Sequence, residues 1–159
     1  MPVLDHQAYM KLAIEQMRRS GLIEKSGGPF GAVIVREDRV LAVAGNSTLR
    51  DRDPTAHAEI NAIRVACRQL DTHDLTGCVL YSSCECCPMC YSAAYWARIA
   101  KIYYAVPWRV YSDLFDDLAI NQDLNLPAGQ RLLAPEFLPA PEALDVWQEF
   151  RALADGARY

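Results

Sequence analysis

The sequence has no apolar run approaching the ~18 residues that a membrane-spanning helix needs. It also lacks the charge-free apolar core of a secretory signal, since it opens MPVLDHQAYMKLAIEQMRRSG with charges throughout. The expectation is a cytoplasmic protein with no membrane partner. There is no basic excess either: 16 Lys and Arg stand against 20 Asp and Glu, a net charge of -4. Nucleic-acid surfaces are usually basic, so this balance argues against a large nucleic-acid footprint and favours a small-molecule substrate. Internal repeats and low-complexity stretches are absent. The 159 residues suit one domain, 1–159, which at this size buries roughly 70% of its unfolded surface. Such a chain needs no disulfide framework, yet it carries 6 cysteines. In a reducing compartment clustered cysteines point to metal or redox chemistry.

Residues of about 5–20 carry a helical pattern, with Asp5 as a cap, Tyr9, Leu12, Ala13 and Met17 on one face, and Gly21 at the end. EKSGGPFG is a loop. FGAVIV and VLAVAG, joined around Glu37–Arg39, predict an antiparallel hairpin. NSTLRDRDPT is a polar loop, and AHAEINAIRVACRQL, about 56–70, a helix with Thr55 as its cap. CVLYSS, CPMCYSAAYWAR and KIYYAV follow as strand, helix and strand, which suggests a crossover and partly parallel pairing. Beyond Val110 the pattern is a short helix at SDLFDDLAI, a turn at NLPAGQ and a terminal helix with Pro141 near its start. The fold class is α/β, a three-layer α/β/α domain with a mixed central sheet and a C-terminal helical segment.

Four cysteines crowd CECCPMC, residues 84–90. Cys87 and Cys90 straddle Pro88 at a predicted helix start, where the helix dipole favours thiolates and the missing proline N–H costs nothing. His57 sits at the start of the other helix. Three protein ligands with an open fourth position is the catalytic zinc pattern. Glu59, two residues beyond His57, is a carboxylate that need not bind the metal; standing alone it would read as a first-turn helix acid. HAE followed about thirty residues later by CPMC reproduces the H-x-E…P-C-x-x-C signature of zinc deaminases, save that Cys86 stands where the signature has proline. Either half by itself would carry little.

On GGPFGAVIV, DPTAHAE, YSSCECCPMC, YWAR, FDD and the C-terminal tyrosine, the chain resembles the cytidine deaminase superfamily, and within it the bacterial guanine deaminases. The resemblance implies the cytidine deaminase-like fold, one zinc ion per chain held by His57, Cys87 and Cys90, and hydrolytic deamination of a free purine base, guanine to xanthine. Glu59 would move the proton of the attacking water to the ring nitrogen beside the attacked carbon. The N–H groups of Ala58 and of the Cys87 helix start would hold the developing charge. Asn46 would hydrogen-bond the purine edge; otherwise it is a turn residue. Phe30 would stack on the base; otherwise it is core. Asp117 would be a second carboxyl, with Asp113 and Asp116 as surface acids. Tyr159 would help wall the pocket of a neighbouring subunit, with about 135–159 as a domain-swapped lid in a homodimer.

Other activities stay open at this point: guanosine, tRNA adenosine, cytosine or cytidine, and aminotriazines. A C-x-x-C redox module would leave HAE unexplained. A structural zinc site would need Cys84 or Cys86 as a fourth ligand. Cys84 reads as packed, and Cys86 as a third thiol beside the metal, open to oxidation or competition. His6 and His73 have no ligand partners in any motif. Cys67 reads as core, Tyr95 and Trp96 as packing behind the zinc helix, and Arg50 and Arg52 as solvated.

Overall fold

In a computed structural model, which describes residues 4–159, Asp5 caps helix α1 (His6–Arg18) by accepting a hydrogen bond from the Ala8 N–H at 3.0 Å. The helix does not stop at Gly21. It runs on as a π-helical turn, Arg19–Ile23. Gly21 serves a close approach instead, because a Cβ there would lie 2.5 Å from the Pro29 Cβ.

Four strands follow: β1 (Gly31–Arg36), β2 (Arg39–Gly45), β3 (Cys78–Cys84) and β4 (Lys101–Val106), in the order β2-β1-β3-β4. The expected hairpin joins β1 and β2 through Glu37 and Asp38, with Glu37 at a left-handed φ of 58°. Ile34 faces Ala42 while Val35 faces Val40, so Leu41 is the extra residue of a bulge. β3 runs antiparallel to β1 and parallel to β4. The parallel pair is connected through helix α4 (Pro88–Trp96), the crossover that the strand–helix–strand succession implied.

β1 is apolar almost throughout because both of its faces are covered. Ala32 and Ile34 join Leu80, Ala58, Ala62, Ala66, Cys90 and Ala94 under helices α3 (Ala58–Leu70) and α4. Val33 and Val35 join Tyr81 and Ala13 under α1. Each fully buried Val, Ile or Leu contributes about 1.5–3 kcal/mol relative to exposure. Cys67 packs at the margin of the first cluster. His6 belongs to the α1 face, its Nδ1 2.8 Å from the Tyr81 hydroxyl and its ring against Tyr103. Tyr95 and Trp96 do not pack behind α4 as expected; they are exposed, on the helix's outer side.

The loop after β2 contains a one-turn helix, α2 (Thr48–Asp51), where only a polar loop was expected. Thr55 does not cap α3. Its hydroxyl bonds Asp53 at 2.7 Å, and His57, in extended geometry at ψ 156°, is the N-cap.

The chain divides into two compact units, one reaching Leu118 and one starting at Ala119. The boundary falls inside α5 (Asp117–Leu124). The second unit also holds a 3-10 turn, Ala128–Gln130, and helix α6 (Pro141–Ala152), which starts on its proline as expected. Within it Trp147 and Phe150 meet edge to face, and Arg158 lies over the Phe150 ring. Leu132, Leu133, Phe137 and Leu138 are 86–91% exposed. Among the described residues no helix is long and apolar enough to cross a membrane.

Candidate active site

Two helix N-termini meet at one point, and each begins on a residue of the HAE and CPMC motifs. β3 ends at Cys84, and after Glu85 and Cys86 the chain reaches Cys87, the N-cap of α4, with Pro88 in the first turn. The Cys87 sulfur accepts the Cys90 N–H at 3.4 Å. His57, the N-cap of α3, points its Nδ1 at both cysteines, 3.6 Å from Cys87 Sγ and 3.4 Å from Cys90 Sγ. A tetrahedral zinc ion with ordinary Zn–S and Zn–N bonds would separate nitrogen from sulfur by about 3.6 Å. The three ligand atoms, all within 4.8 Å of one another, therefore fit zinc. Among the described residues no other group of His, Cys, Asp or Glu does so, and Cys84 and Cys86 lie outside the set. Among the described residues no fourth protein ligand joins the three.

The protons in this cluster are unevenly shared. Donation from Cys90, with help from His57, pulls the Cys87 thiol down to about 4. Its thiolate raises the Cys90 thiol and, by hydrogen bonding, the His57 imidazolium. Cys86 is buried at 8% exposure, and burial with Glu59 nearby keeps its thiol protonated. The third thiol, read as open to oxidation or competition, is thus a shielded neutral one. Burial likewise pushes Cys84 up to about 11.

Glu59 is 4% exposed, in the first turn of α3. Desolvation raises its pKa. Its Oε2 stands 3.5 Å from Cys90 Sγ, and its Oε1 3.1 Å from the Ser82 hydroxyl. That hydroxyl is closer to the Cys84 carbonyl, at 2.6 Å, and has one proton to give. It therefore shares that proton between the Cys84 carbonyl and Glu59 Oε1, to which it donates.

A cavity of about 100 Å³ opens beside these groups, and its lining includes His57, Glu59, Cys87, Phe30, Asn46 and Asp117. Phe30 meets Phe115 edge to face at 5.0 Å and Tyr111 at 5.7 Å. Asp117 is half-buried at the start of α5, while Asp113 and Asp116 are exposed. Burial and the Cys87 thiolate push the Asp117 carboxyl up to about 6. Ala58 is fully buried as the first residue of α3. Tyr159 belongs to the second unit, where it is exposed.

Four lining residues escaped the sequence reading: Gly28, Thr48, Glu85 and Phe115. Phe115 stood in the FDD run and could have been found there. Glu85 accepts the Trp108 N–H at 3.2 Å, a contact with no local signal. Asn46 makes the turn that was its alternative reading, for its Oδ1 accepts the Thr48 N–H two residues on. A larger cleft, about 410 Å³, lies along the π-turn, β2 and α3. Arg19, Arg50 and Arg64 in it are ion-paired with Glu24, Asp51 and Asp53, and it holds none of the clustered ligands.

Residues 4–106 match the family model of the cytidine and deoxycytidylate deaminase zinc-binding region. The chain is 38% identical over 157 residues to guanine deaminase of Bacillus subtilis (strain 168), covering 98% of this chain and 100% of that protein. The X-ray structure of guanine deaminase from Bacillus subtilis superposes with a TM-score of 0.92 at 37% identity, covering 98% of this chain and 99% of that one. A tRNA-specific adenosine deaminase of Aquifex aeolicus is 34% identical over 142 residues, 89% of this chain and 91% of that protein. The zinc-fitting His57, Cys87 and Cys90, the buried Glu59 and these likenesses make the chain a member of the cytidine and deoxycytidylate deaminase zinc-binding family.

Proposed function

We propose that the chain hydrolyses guanine to xanthine and ammonia, working in the cytoplasm with one zinc ion per chain. The observation that carries this reading is Glu59, buried beside a three-ligand metal set and opening on a cavity small enough for a single heterocycle. The full-length likeness to a guanine deaminase supports the choice of base. The acidic net charge of -4 speaks for a free base over tRNA.

Zinc bound by His57, Cys87 and Cys90 would supply Lewis acidity and a water nucleophile ionised near neutral pH. Glu59 accepts a proton from the attacking water and passes it to the ring nitrogen beside carbon 2 as the water oxygen bonds that carbon. The bond from carbon 2 to the amino nitrogen then breaks. Glu59 and Asp117 take the remaining proton from the new carbon-2 hydroxyl and deliver it to the leaving amine, which leaves a carbonyl at carbon 2, so one water enters and one ammonia departs. Raised pKa values suit both carboxyls to carrying protons in turn. The N–H groups of Ala58 and of the α4 start hold the developing charge. Phe30 stacks on the base and Asn46 bonds its edge.

The tail from about residue 135, a part of the second unit, acts as a swapped lid in a homodimer, with Tyr159 against the partner's base. Support comes from its uncovered apolar residues and from α6, in which no residue is buried. The test of the activity is ammonia release by the zinc-loaded protein offered guanine, guanosine, adenine, cytosine, cytidine, aminotriazines and tRNA. Turnover of guanine above the others is expected; silence on guanine overturns the reading.

A further inference from the structure

Every polar group of Asn46 except one is spoken for. Its backbone N–H donates to the Phe30 carbonyl at 3.0 Å, and its carbonyl accepts the Ser26 hydroxyl at 2.8 Å. Its Oδ1 accepts two bonds from Thr48, from the backbone N–H at 3.0 Å and from the hydroxyl at 2.9 Å. A backbone N–H can only donate, so the atom facing it must be the amide oxygen and not the nitrogen. Gly27 closes the other side. A Cβ there would lie 2.0 Å from Asn46 Oδ1 and 3.1 Å from Thr48 Oγ1, so no side chain can stand between the loop and this pair. With the oxygen pinned, the amide nitrogen, Nδ2, is the group left for a ligand of the cavity that Asn46 and Thr48 both line.

We propose that Thr48 is a specificity-determining residue. By holding Asn46 Oδ1 it turns the amide nitrogen toward the substrate. The site therefore takes a purine that presents a hydrogen-bond acceptor there, the 6-carbonyl oxygen of guanine, over one that presents an amino donor. This rests on the guanine reading for its substrate and adds to it the residue that sets the polarity of the pocket. Discrimination follows from pairing: a buried N–H₂ facing another donor is left unsatisfied, which sites built on hydrogen bonds reject strongly.

The probe pair is guanine and 2,6-diaminopurine. Both carry the 2-amino leaving group, and they differ in the 6-substituent and the ring proton that accompanies it. Thr48→Val keeps the backbone donor and removes the hydroxyl. We expect its KM for guanine to rise roughly three- to tenfold, with the loss in KM more than in kcat, and its preference for guanine over 2,6-diaminopurine to shrink. Thr48→Ser should restore both. Asn46→Asp keeps both bonds from Thr48 but offers an acceptor to the cavity; its preference should move toward 2,6-diaminopurine by roughly tenfold or more. Metal content and melting temperature identify variants that fail to fold. Unchanged KM and preference in Thr48→Val, or an undiminished guanine preference in Asn46→Asp, overturns the proposal. Calorimetric binding of the two bases separates this proposal from the activity on which it rests. Selective binding of guanine without turnover sinks the guanine reading alone, equal binding sinks the role of Thr48, and binding of neither sinks both.

Discussion

Glu59 and Asp117 are two carboxyls on one cavity in unequal surroundings, the first fully enclosed and the second half-open. Glu59→Gln keeps the shape and removes the proton carrier. Ammonia release should fall by about 10²–10⁴, the usual worth of a positioned acid–base, with zinc content by metal analysis unchanged. Asp117 titrates from a pKa raised to about 6, chiefly by burial, against 3.8 for a free side chain. Its carboxylate is therefore the major form above about pH 6 and is lost below it. The pH profile of kcat/KM should carry an acid limb near 6, and Asp117→Asn should lower the plateau and abolish that limb. His57, Glu59, Cys87 and Cys90 were legible in the sequence because each sits in a fixed-spacing motif at a helix start. Thr48 was not, since its relevance comes from which atom of Asn46 it holds, and side-chain direction in an irregular loop leaves no periodicity to read.

At the scale of elements, the hairpin and the β3–α4–β4 crossover were legible because β-branched runs and Pro88 mark them. The π-turn at Arg19–Ile23 and the one-turn α2 were not. Gly21 looked like a stop, but it answers to Pro29 across the loop, and such a contact is invisible to a local pattern. The entry to α4 offers a test. Cys86 stands between β3 and the N-cap, and among the described hydrogen bonds its N–H makes none. Proline at that position sacrifices no bond and narrows the unfolded ensemble. Cys86→Pro should keep zinc and turnover and raise stability by about 0.4–1 kcal/mol, read by denaturant melts. Loss of zinc would mean that Cys86, not Cys87, is the ligand.

For the whole molecule, the second unit leaves the side chains of Leu132, Leu133, Phe137 and Leu138 exposed, the kind of apolar residue that the proposed dimer would cover. Removing residues 135–159 should cut guanine turnover sharply and convert a dimer to a monomer by light scattering; a truncated chain with full kinetics would rule out the lid. The sheet order has a different consequence, in time. β3 lies between β1 and β4, and its pairs with β1, such as Ala32 with Ser82, join residues about forty to fifty apart in sequence. Until that strand inserts, Cys87 and Cys90 cannot reach His57. Contacts at such separation form slowly, after loop closure has been met. The metal grips a site that is completed late on the folding route, so zinc should slow unfolding several-fold while leaving the refolding rate nearly unchanged, a split that stopped-flow traces with and without the ion would reveal.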